Sequence, residues 1–275
     1  MSPKISIIMA TYNGEQYLSK QIKSILGQSY KEWQLIIRDD GSCDNTLDVI
    51  KEYAQKHPDI IKFITDKDGN VGASRNFLRL LSHAETDYVM FCDQDDIWLP
   101  DKIKITFDKI KEVEKKYGLN TPVLIHTDLK VVDKDLNVIA NSFWKYQHLN
   151  PEKGKTLNRL LVQNVITGCT AMINKALKGK IKLLPEQTIM YDRWISLAAA
   201  AFGKIDYVPT ATILYRQHDN NIIGVKAWNV RYVMKMLSGM SSIKTTLQKT
   251  QMQAGAFLDV FRDELTEKYI DLLNV

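Results

Sequence analysis

The chain has 275 residues, a length that suits one large α/β domain or one domain with a helical appendage. Apolar residues make up 45% of it and charged residues 25%, which excludes collagenous, disordered and repeat-based proteins. The formal net charge is only +5, and we expect no nucleic-acid partner. Three widely spaced cysteines argue against a disulfide framework and a zinc site. No apolar run is long enough to span a bilayer and the first residues lack a signal peptide, so we expect a cytoplasmic protein.

The first third of the chain alternates between strand and helix patterns. Apolar residues at helical spacing follow each of the first three strands, and the first helix is predicted to end at Gly27 and the second before Pro58. This alternation predicts right-handed crossovers and a mostly parallel sheet. The predicted strands are Ile5 to Met9, Trp33 to Ile37, Ile60 to Ile64 and Tyr88 to Cys92.

After about residue 120 the pattern predicts shorter strands and a helix from Asp192 to Phe202, as in a mixed extension of the same sheet. From Trp228 onward the apolar residues keep helical spacing. We therefore expect an α/β domain over residues 1–224 and a C-terminal helical extension over 225–275. The predicted later strands are Val123 to Thr127, Leu129 to Val132, Val165 to Ile173 and Ile205 to Tyr215.

An acidic cluster, Asp93-Gln94-Asp95-Asp96, directly follows the fourth predicted strand. Crowded carboxylates repel one another unless a cation or hydrogen-bond donors hold them, and oxygen-rich clusters suit Mg²⁺ or Mn²⁺. The cluster is typical of a metal-diphosphate site, although a solvated turn that caps the next helix would have the same composition.

A second acidic pair, Asp39-Asp40, follows the second predicted strand and precedes Gly41-Ser42. Ser42 or Asp44 could cap the next helix, but capping does not explain the two carboxylates at the strand end. Since ligands of parallel sheets bind where the carboxyl ends of the strands meet, an aspartate there could accept the imide N–H of a pyrimidine base.

Together these motifs resemble the family 2 inverting glycosyltransferases of the GT-A fold. The resemblance covers roughly residues 4 to 224, and its acidic string is similar to bacterial rhamnosyltransferase-like members that build surface polysaccharides. It implies a nucleotide-sugar half over about 1–120 and an acceptor half over about 121–224. The motifs are Ile7-Ile8-Met9-Ala10-Thr11-Tyr12-Asn13-Gly14, Arg38-Asp39-Asp40-Gly41-Ser42, Asn70-Val71-Gly72 and Cys92-Asp93-Gln94-Asp95-Asp96-Ile97-Trp98-Leu99-Pro100.

The resemblance also implies roles in donor binding. Asp40 is expected to hold the nucleotide base together with the turn Ala10-Thr11-Tyr12, and Arg75 to approach the diphosphate. Asp93 would face the ribose and the donor sugar, and Asp95 would bind the divalent cation, Mn²⁺ or Mg²⁺.

Later motifs supply the remaining implied roles. Tyr191-Asp192 stands where many members have Glu-Asp, so only Asp192 is transferable as general base, with Asp128 the next candidate. Arg216 could pair with phosphate and His218 could complete the metal shell. Gly168-Cys169-Thr170, at the start of a predicted strand, is expected on the acceptor side, although close strand packing explains the glycine equally well.

The implied reaction moves a sugar from dTDP-rhamnose or a UDP-hexose to a hydroxyl of a glycan, glycolipid or glycoprotein acceptor, with inversion at the anomeric centre. Two alternatives stay open. A nucleotidyltransferase would need a glycine-rich basic loop after the first strand, where this chain has Thr11-Tyr12-Asn13-Gly14-Glu15. A non-catalytic nucleotide-sugar-binding protein would not need Asp192.

A basic stretch lies near the C-terminus. From Asn220 to Leu258 the chain has no acidic residue. Such a segment could lie on the anionic inner face of a membrane, pack on the catalytic domain, or form an interface between identical chains. Its positive charges are Lys226, Arg231, Lys235, Lys244 and Lys249.

Overall fold

The computed structural model describes residues 4–181, 185–218 and 240–274. The strands of this part are β1 (Ile5–Thr11), β2 (Trp33–Asp39), β3 (Ile61–Ile64), β4 (Tyr88–Cys92), β5 (Ile97–Trp98), β6 (Val123–Val132), β7 (Val138–Ala140), β8 (Met172–Asn174) and β9 (Lys204–Arg216). The α-helices are α1 (Glu15–Leu26), α2 (Thr46–Lys56), α3 (Ala73–His83), α4 (Lys102–Tyr117), α5 (Phe143–Tyr146), α6 (Leu157–Val162), α7 (Lys175–Lys180), α8 (Tyr191–Phe202), α9 (Met240–Phe261) and α10 (Glu267–Leu273).

All of these strands belong to one sheet. Its order is β3-β2-β1-β4-β8-β6-β9-β5, and β7 pairs with β6 off this path. β1 pairs in parallel with both β2 and β4, which places Ala10 beside Arg38 and Met9 beside Cys92. The carboxyl ends of these three strands therefore meet at one edge, where their following loops form a common site.

The second half extends the same sheet with mixed pairing, as predicted. β6 pairs in parallel with β9 and antiparallel with β7 and β8. Two predictions of detail are wrong. The two strands expected between Val123 and Val132 are one strand whose register with β9 shifts near Asp128. Most of the strand expected from Val165 to Ile173 is non-strand backbone with a 3₁₀ turn over Gly168–Thr170, and only Met172–Asn174 is β8.

Two hydrophobic cores lie on opposite faces of the sheet because successive strand residues point to opposite sides. Ile7 of β1 packs with Leu18 and Ile22 of α1, whereas Ile8 packs with Phe77 of α3 and Trp194 of α8. Each of these side chains is at most 3% exposed. Both faces of the sheet are thus covered, which holds the loops at its edge over a rigid base.

The C-terminal helices complete one of these cores. Phe257 and Phe261 of α9 lie against the ring of Trp194, with centroid separations of 5.2 and 6.0 Å. The predicted domain boundary at residue 224 and most of the basic stretch, including Trp228, lie outside the described residues. Among residues 4–181, 185–218 and 240–274, no helix is both long and apolar enough to cross a membrane.

Candidate active site

A cleft of about 1010 Å³ opens at the edge where β1, β2 and β4 end. The N-terminus of α8 and the residues that follow β9 also line it. Most of the site residues predicted from the sequence line this cleft, whereas Arg75 and Arg216 do not. Those that line it are Ala10, Thr11, Tyr12, Asp40, Asp93, Asp95, Asp192 and His218.

The loops after β1 and β2 are joined by the carboxylate of Asp39. Its oxygens accept hydrogen bonds from Thr11 Oγ1 at 2.9 Å, from Ser42 Oγ at 2.6 Å and from the backbone N–H of Gly41 at 3.0 Å. Capping does not explain the Asp39 carboxylate. In the structure it links the end of β1 to the end of β2. Gly41 has φ +86°, a conformation that glycine adopts without steric cost.

Asp40 joins the second strand end to the start of α3. Its carboxylate accepts hydrogen bonds from the Arg38 guanidinium at 2.8 Å and from the backbone N–H groups of Val71 and Gly72 at 2.9 and 2.8 Å. Arg38 also donates to Asp66 at 2.6 Å. Arg38 and Asp40 are only 2% and 3% exposed, so this ion pair is buried beneath the cleft wall.

Gln94, in the middle of the acidic cluster, ties that cluster to the first loop. The backbone N–H of Tyr12 donates to Gln94 Oε1, and Gln94 Nε2 donates to the Tyr12 carbonyl, both at 2.9 Å. A Cβ on Gly14 would overlap the Gln94 side-chain amide. Glycine at position 14 therefore leaves room for this pair of hydrogen bonds. Tyr12 itself is 48% exposed.

Asp95 and His218 lie side by side at the end of the cleft. Asp95 Oδ2 is 2.8 Å from His218 Nε2. The His218 ring stacks on Tyr17 with centroids 4.7 Å apart, and the Arg216 guanidinium lies 4.7 Å from the centroid of the same ring. Arg216 is buried, and it donates to the backbone carbonyls of Asp95 and Lys134. These contacts of Arg216 fix the backbone of the acidic loop.

Two groups of side chains near this loop have the donor atoms for a cation. Asp93, Asp96 and Cys169 have ligand atoms within 4.8 Å of one another. However, burial raises the pKa of the Cys169 thiol well above its usual range, and a thiol suits neither Mg²⁺ nor Mn²⁺. The carboxylate of Asp95 beside the imidazole of His218 fits Mn²⁺ better, and both side chains face the cleft.

Asp192 lies in the first turn of α8 and lines the same cleft. Its carboxylate accepts a hydrogen bond from the Arg193 backbone N–H at 2.7 Å and one from Asn164 Nδ2 at 3.3 Å. Burial raises the pKa of Asp192 to about 6 despite these donors. Burial and the neighbouring charges of Asp95 and Asp192 raise the pKa of Asp93 to about 7.

Two further predicted residues have structural partners. Arg75 is exposed and pairs with Glu186 at 2.8 Å, so its guanidinium lies away from the cleft lining. Asp128 is buried and caps α5, since its carboxylate accepts hydrogen bonds from the Ser142 hydroxyl and the Phe143 N–H. Asp128 is also absent from the cleft lining, whereas Asp192 belongs to it.

Sequence reasoning missed the bridging role of Gln94 and the burial of Arg38. No sequence signal marks an amide that pairs with a loop 82 residues away. Arg38 did leave a signal, because an arginine that ends an apolar strand next to two aspartates is typical of a buried ion pair.

Comparison with known proteins shows the family of the chain. Residues 6–179 match the model of Glycosyl transferase family 2. The dTDP-rhamnosyl transferase RfbG of Shigella flexneri is 32% identical over 231 residues, which cover 78% of this chain and 73% of RfbG.

Two solved structures share the fold. S. aureus TarS 1–349 in complex with UDP has a TM-score of 0.59 at 22% identity, over 78% of this chain and 60% of that chain. Mannosyltransferase PcManGT from Pyrobaculum calidifontis, in complex with GDP-Man and Mn²⁺, has a TM-score of 0.60 at 15% identity, over 100% of this chain and 79% of that chain. The chain therefore belongs to glycosyl transferase family 2, and its sheet and flanking helices form the predicted GT-A fold.

Proposed function

We propose that the protein transfers a sugar from a nucleoside-diphosphate donor to a hydroxyl of a glycan acceptor, with inversion at the anomeric carbon. Its similarity to a dTDP-rhamnosyl transferase and to a UDP-bound structure supports dTDP-rhamnose or a UDP-hexose as the donor. The reaction would serve bacterial surface polysaccharide or glycoconjugate synthesis.

The charge of the cleft is the observation that carries this proposal. Among the described residues that line it there is no lysine or arginine. A diphosphate would therefore meet like charges, and its binding needs a cation that the cleft itself does not provide. The lining carboxylates are Glu15, Asp40, Asp44, Asp93, Asp95 and Asp192.

Asp95 and His218 would hold a divalent cation, Mn²⁺ or Mg²⁺. When bound, such an ion neutralises charge on the departing diphosphate. The Mn²⁺ in the PcManGT complex supports this assignment. Asp93 lies next to this position and would face the ribose and the donor sugar.

The loops after β1 and β2 suit a nucleotide base. Tyr12 is exposed in the first of these loops, and its ring would offer a stacking surface to the base. Ala10, Thr11 and Asp40 line the wall behind it. Because the carboxylate of Asp40 already accepts three hydrogen bonds, its main contribution would be to hold this wall in place.

Asp192 would act as the general base. A pKa of about 6 leaves its carboxylate ionised at neutral pH and basic enough to take a proton from an acceptor hydroxyl. The hydroxyl that Asp192 activates would attack the anomeric carbon from the face away from the diphosphate. Attack from that face inverts the anomeric centre.

Turnover of dTDP-rhamnose and of UDP-hexoses to the free nucleoside diphosphate tests the proposal, measured with Mn²⁺ and with a chelator. We expect release of the diphosphate from at least one donor, dependent on the metal and lost in Asp95→Ala. A folded Asp95→Ala that keeps wild-type turnover in chelator would contradict the metal assignment. A thermal-shift panel of the same donors identifies the nucleotide, since a ligand at 100 times its dissociation constant stabilises by ~2.7 kcal/mol.

A further inference from the structure

A second cavity, lined in part by Val165, has a charge opposite to that of the cleft. Its volume is about 360 Å³, and no carboxylate is among the described residues that line it. Basic and amide side chains dominate its lining, together with a few apolar groups. The lining residues are His148, Asn150, Lys153, Gly154, Asn158, Arg159, Val162, Gln163 and Val165.

Two of its cations are not neutralised by the protein. Lys153 and Arg159 are exposed, and neither forms an ion pair with any side chain in the described ranges. The nearest acidic residue in sequence, Glu152, pairs with Lys155 at 2.8 Å instead. Lys155 also contacts Asp206 at 3.0 Å. The carboxylates of this region thus neutralise Lys155 and leave Lys153 and Arg159 facing the cavity.

The walls of the cavity combine the groups that bind an anionic sugar. An arginine guanidinium matches the geometry of phosphate and carboxylate oxygens, and a lysine adds a second charge. The amides of Asn150, Asn158 and Gln163 can donate to and accept from sugar hydroxyls. Val162 is 79% exposed beside them and offers an apolar contact to a ring face.

One short segment connects this cavity to the cleft. Val165 lines the small cavity and Thr167 lines the large one, so their Cα atoms are at most about 7.6 Å apart. Asn164, the residue before Val165, donates to the carboxylate of Asp192. The lining of the small cavity therefore lies one residue from a contact of the proposed base, and an acceptor longer than one sugar would reach both.

We propose that this cavity binds an anionic group, a phosphate or a carboxylate, carried by the glycan acceptor. The inference rests on the proposed transferase function and adds a substrate class to it. The acceptor would enter along the basic wall while the donor occupies the acidic cleft. The carboxylates of the cleft would repel an acceptor anion that carries no cation, which favours its binding at the basic cavity.

Ligand-observed NMR titration of the full chain with glucose 6-phosphate, glucuronate and glucose tests the proposal. We expect at least one of the two anions to bind roughly tenfold more tightly than glucose, with an affinity that falls as salt is raised. Glucose 6-phosphate alone would indicate a phosphorylated acceptor, and glucuronate alone a uronic-acid acceptor. If neither anion binds better than glucose, the proposal is overturned.

The double variant Lys153→Gln/Arg159→Gln locates the binding. It should lose about tenfold in affinity for the anion. Lys51→Gln/Lys115→Gln removes the same two charges from exposed positions outside the cavity lining and should keep the wild-type affinity. Equal affinity of both double variants for the anion would overturn the assignment to this cavity. Thermal melting of each variant checks its folding, and donor turnover by the wild type tests the transferase separately, so the two proposals fail on different measurements.

Discussion

The cleft joins two regions that are built in different ways. At the ends of β1, β2 and β4, hydrogen bonds of Asp39 and Gln94 link neighbouring loops, and those of Asp40 link the end of β2 to the start of α3. At the N-terminus of α8, Asp192 also accepts hydrogen bonds, from the Arg193 N–H at 2.7 Å and from Asn164 at 3.3 Å, yet burial raises its pKa to about 6. Carboxylates whose hydrogen bonds link loops build structure, whereas a carboxyl with a pKa raised toward neutrality is suited to exchange a proton.

The largest effect should come from Asp192 at the N-terminus of α8. Asp192→Asn keeps the shape of the side chain but cannot accept a proton, so kcat should fall by roughly 10² to 10⁴ while donor affinity stays near the wild-type value. Turnover and donor affinity measured on the same preparation check this. Asp259→Asn, at an exposed position of α9, serves as the control. A fully active Asp192→Asn would move the base to another group.

The same carboxyl should set the acid limb of the pH profile. Because burial raises the pKa of Asp192 to about 6, the carboxyl is protonated below that pH and cannot act as a base. Turnover should rise as pH increases through about 6 and then level off. A rate that is flat between pH 5 and 7 would contradict this.

At the strand ends, Asp40→Asn should mainly lower the stability of the fold. It leaves Arg38, which is buried, with only Asp66 as its charged partner and turns an amide N–H toward the N–H groups of Val71 or Gly72. We expect the free energy of unfolding to fall by about 2 to 3 kcal/mol in denaturant titration. Asp59→Asn, at an exposed position, should change it by less than about 0.5 kcal/mol.

A smaller effect is expected from Gly14→Ala. The added Cβ displaces the Gln94 amide and opens its pair with Tyr12, so donor affinity should fall about tenfold, the cost of one to two hydrogen bonds. Isothermal titration with UDP measures this. Gly27→Ala is the control because a Cβ there meets its nearest neighbour at 3.4 Å, an ordinary contact. If both variants bind UDP alike, the amide pair does not shape the donor site.

The smallest effect should follow Arg75→Ala. Arg75 and Glu186 are both exposed, and a surface ion pair contributes at most about 1 kcal/mol to stability. Because the guanidinium lies away from the cleft lining, UDP affinity should stay within about threefold of the wild type. A loss of tenfold or more would return Arg75 to the diphosphate position that the family resemblance implies.

The parallel half of the fold could be predicted because its evidence is local. Each strand there is a continuous apolar run that ends at a polar turn, and the apolar residues of the following helix recur about every 3.6 residues. The apolar segment from Val165 to Ile173 misled the same reasoning, since most of it is buried in a turn rather than in the sheet. Burial alone does not distinguish a strand from a packed turn.

The candidate site likewise has residues that could be predicted from the sequence and residues that could not. Residues at strand ends, such as Asp93 and Asp95, could be placed because the topology brings those ends together. The partners of Arg75 and Gln94 could not be predicted, as they lie 111 and 82 residues away along the chain. No sequence motif marks the small basic cavity. It forms where the segment at Lys153 packs against Val165.

The reciprocal amide pair between Gln94 and Tyr12 has a consequence for how ligands communicate. It ties the loop after β1, which carries the exposed Tyr12 ring, to the acidic loop after β4, which carries the carboxylate of Asp95. A ligand that restrains one loop also restrains the other and lowers the entropy lost when a second ligand binds. Thermodynamic linkage makes the effect reciprocal, so a cation would strengthen nucleotide binding by the same factor by which the nucleotide strengthens cation binding.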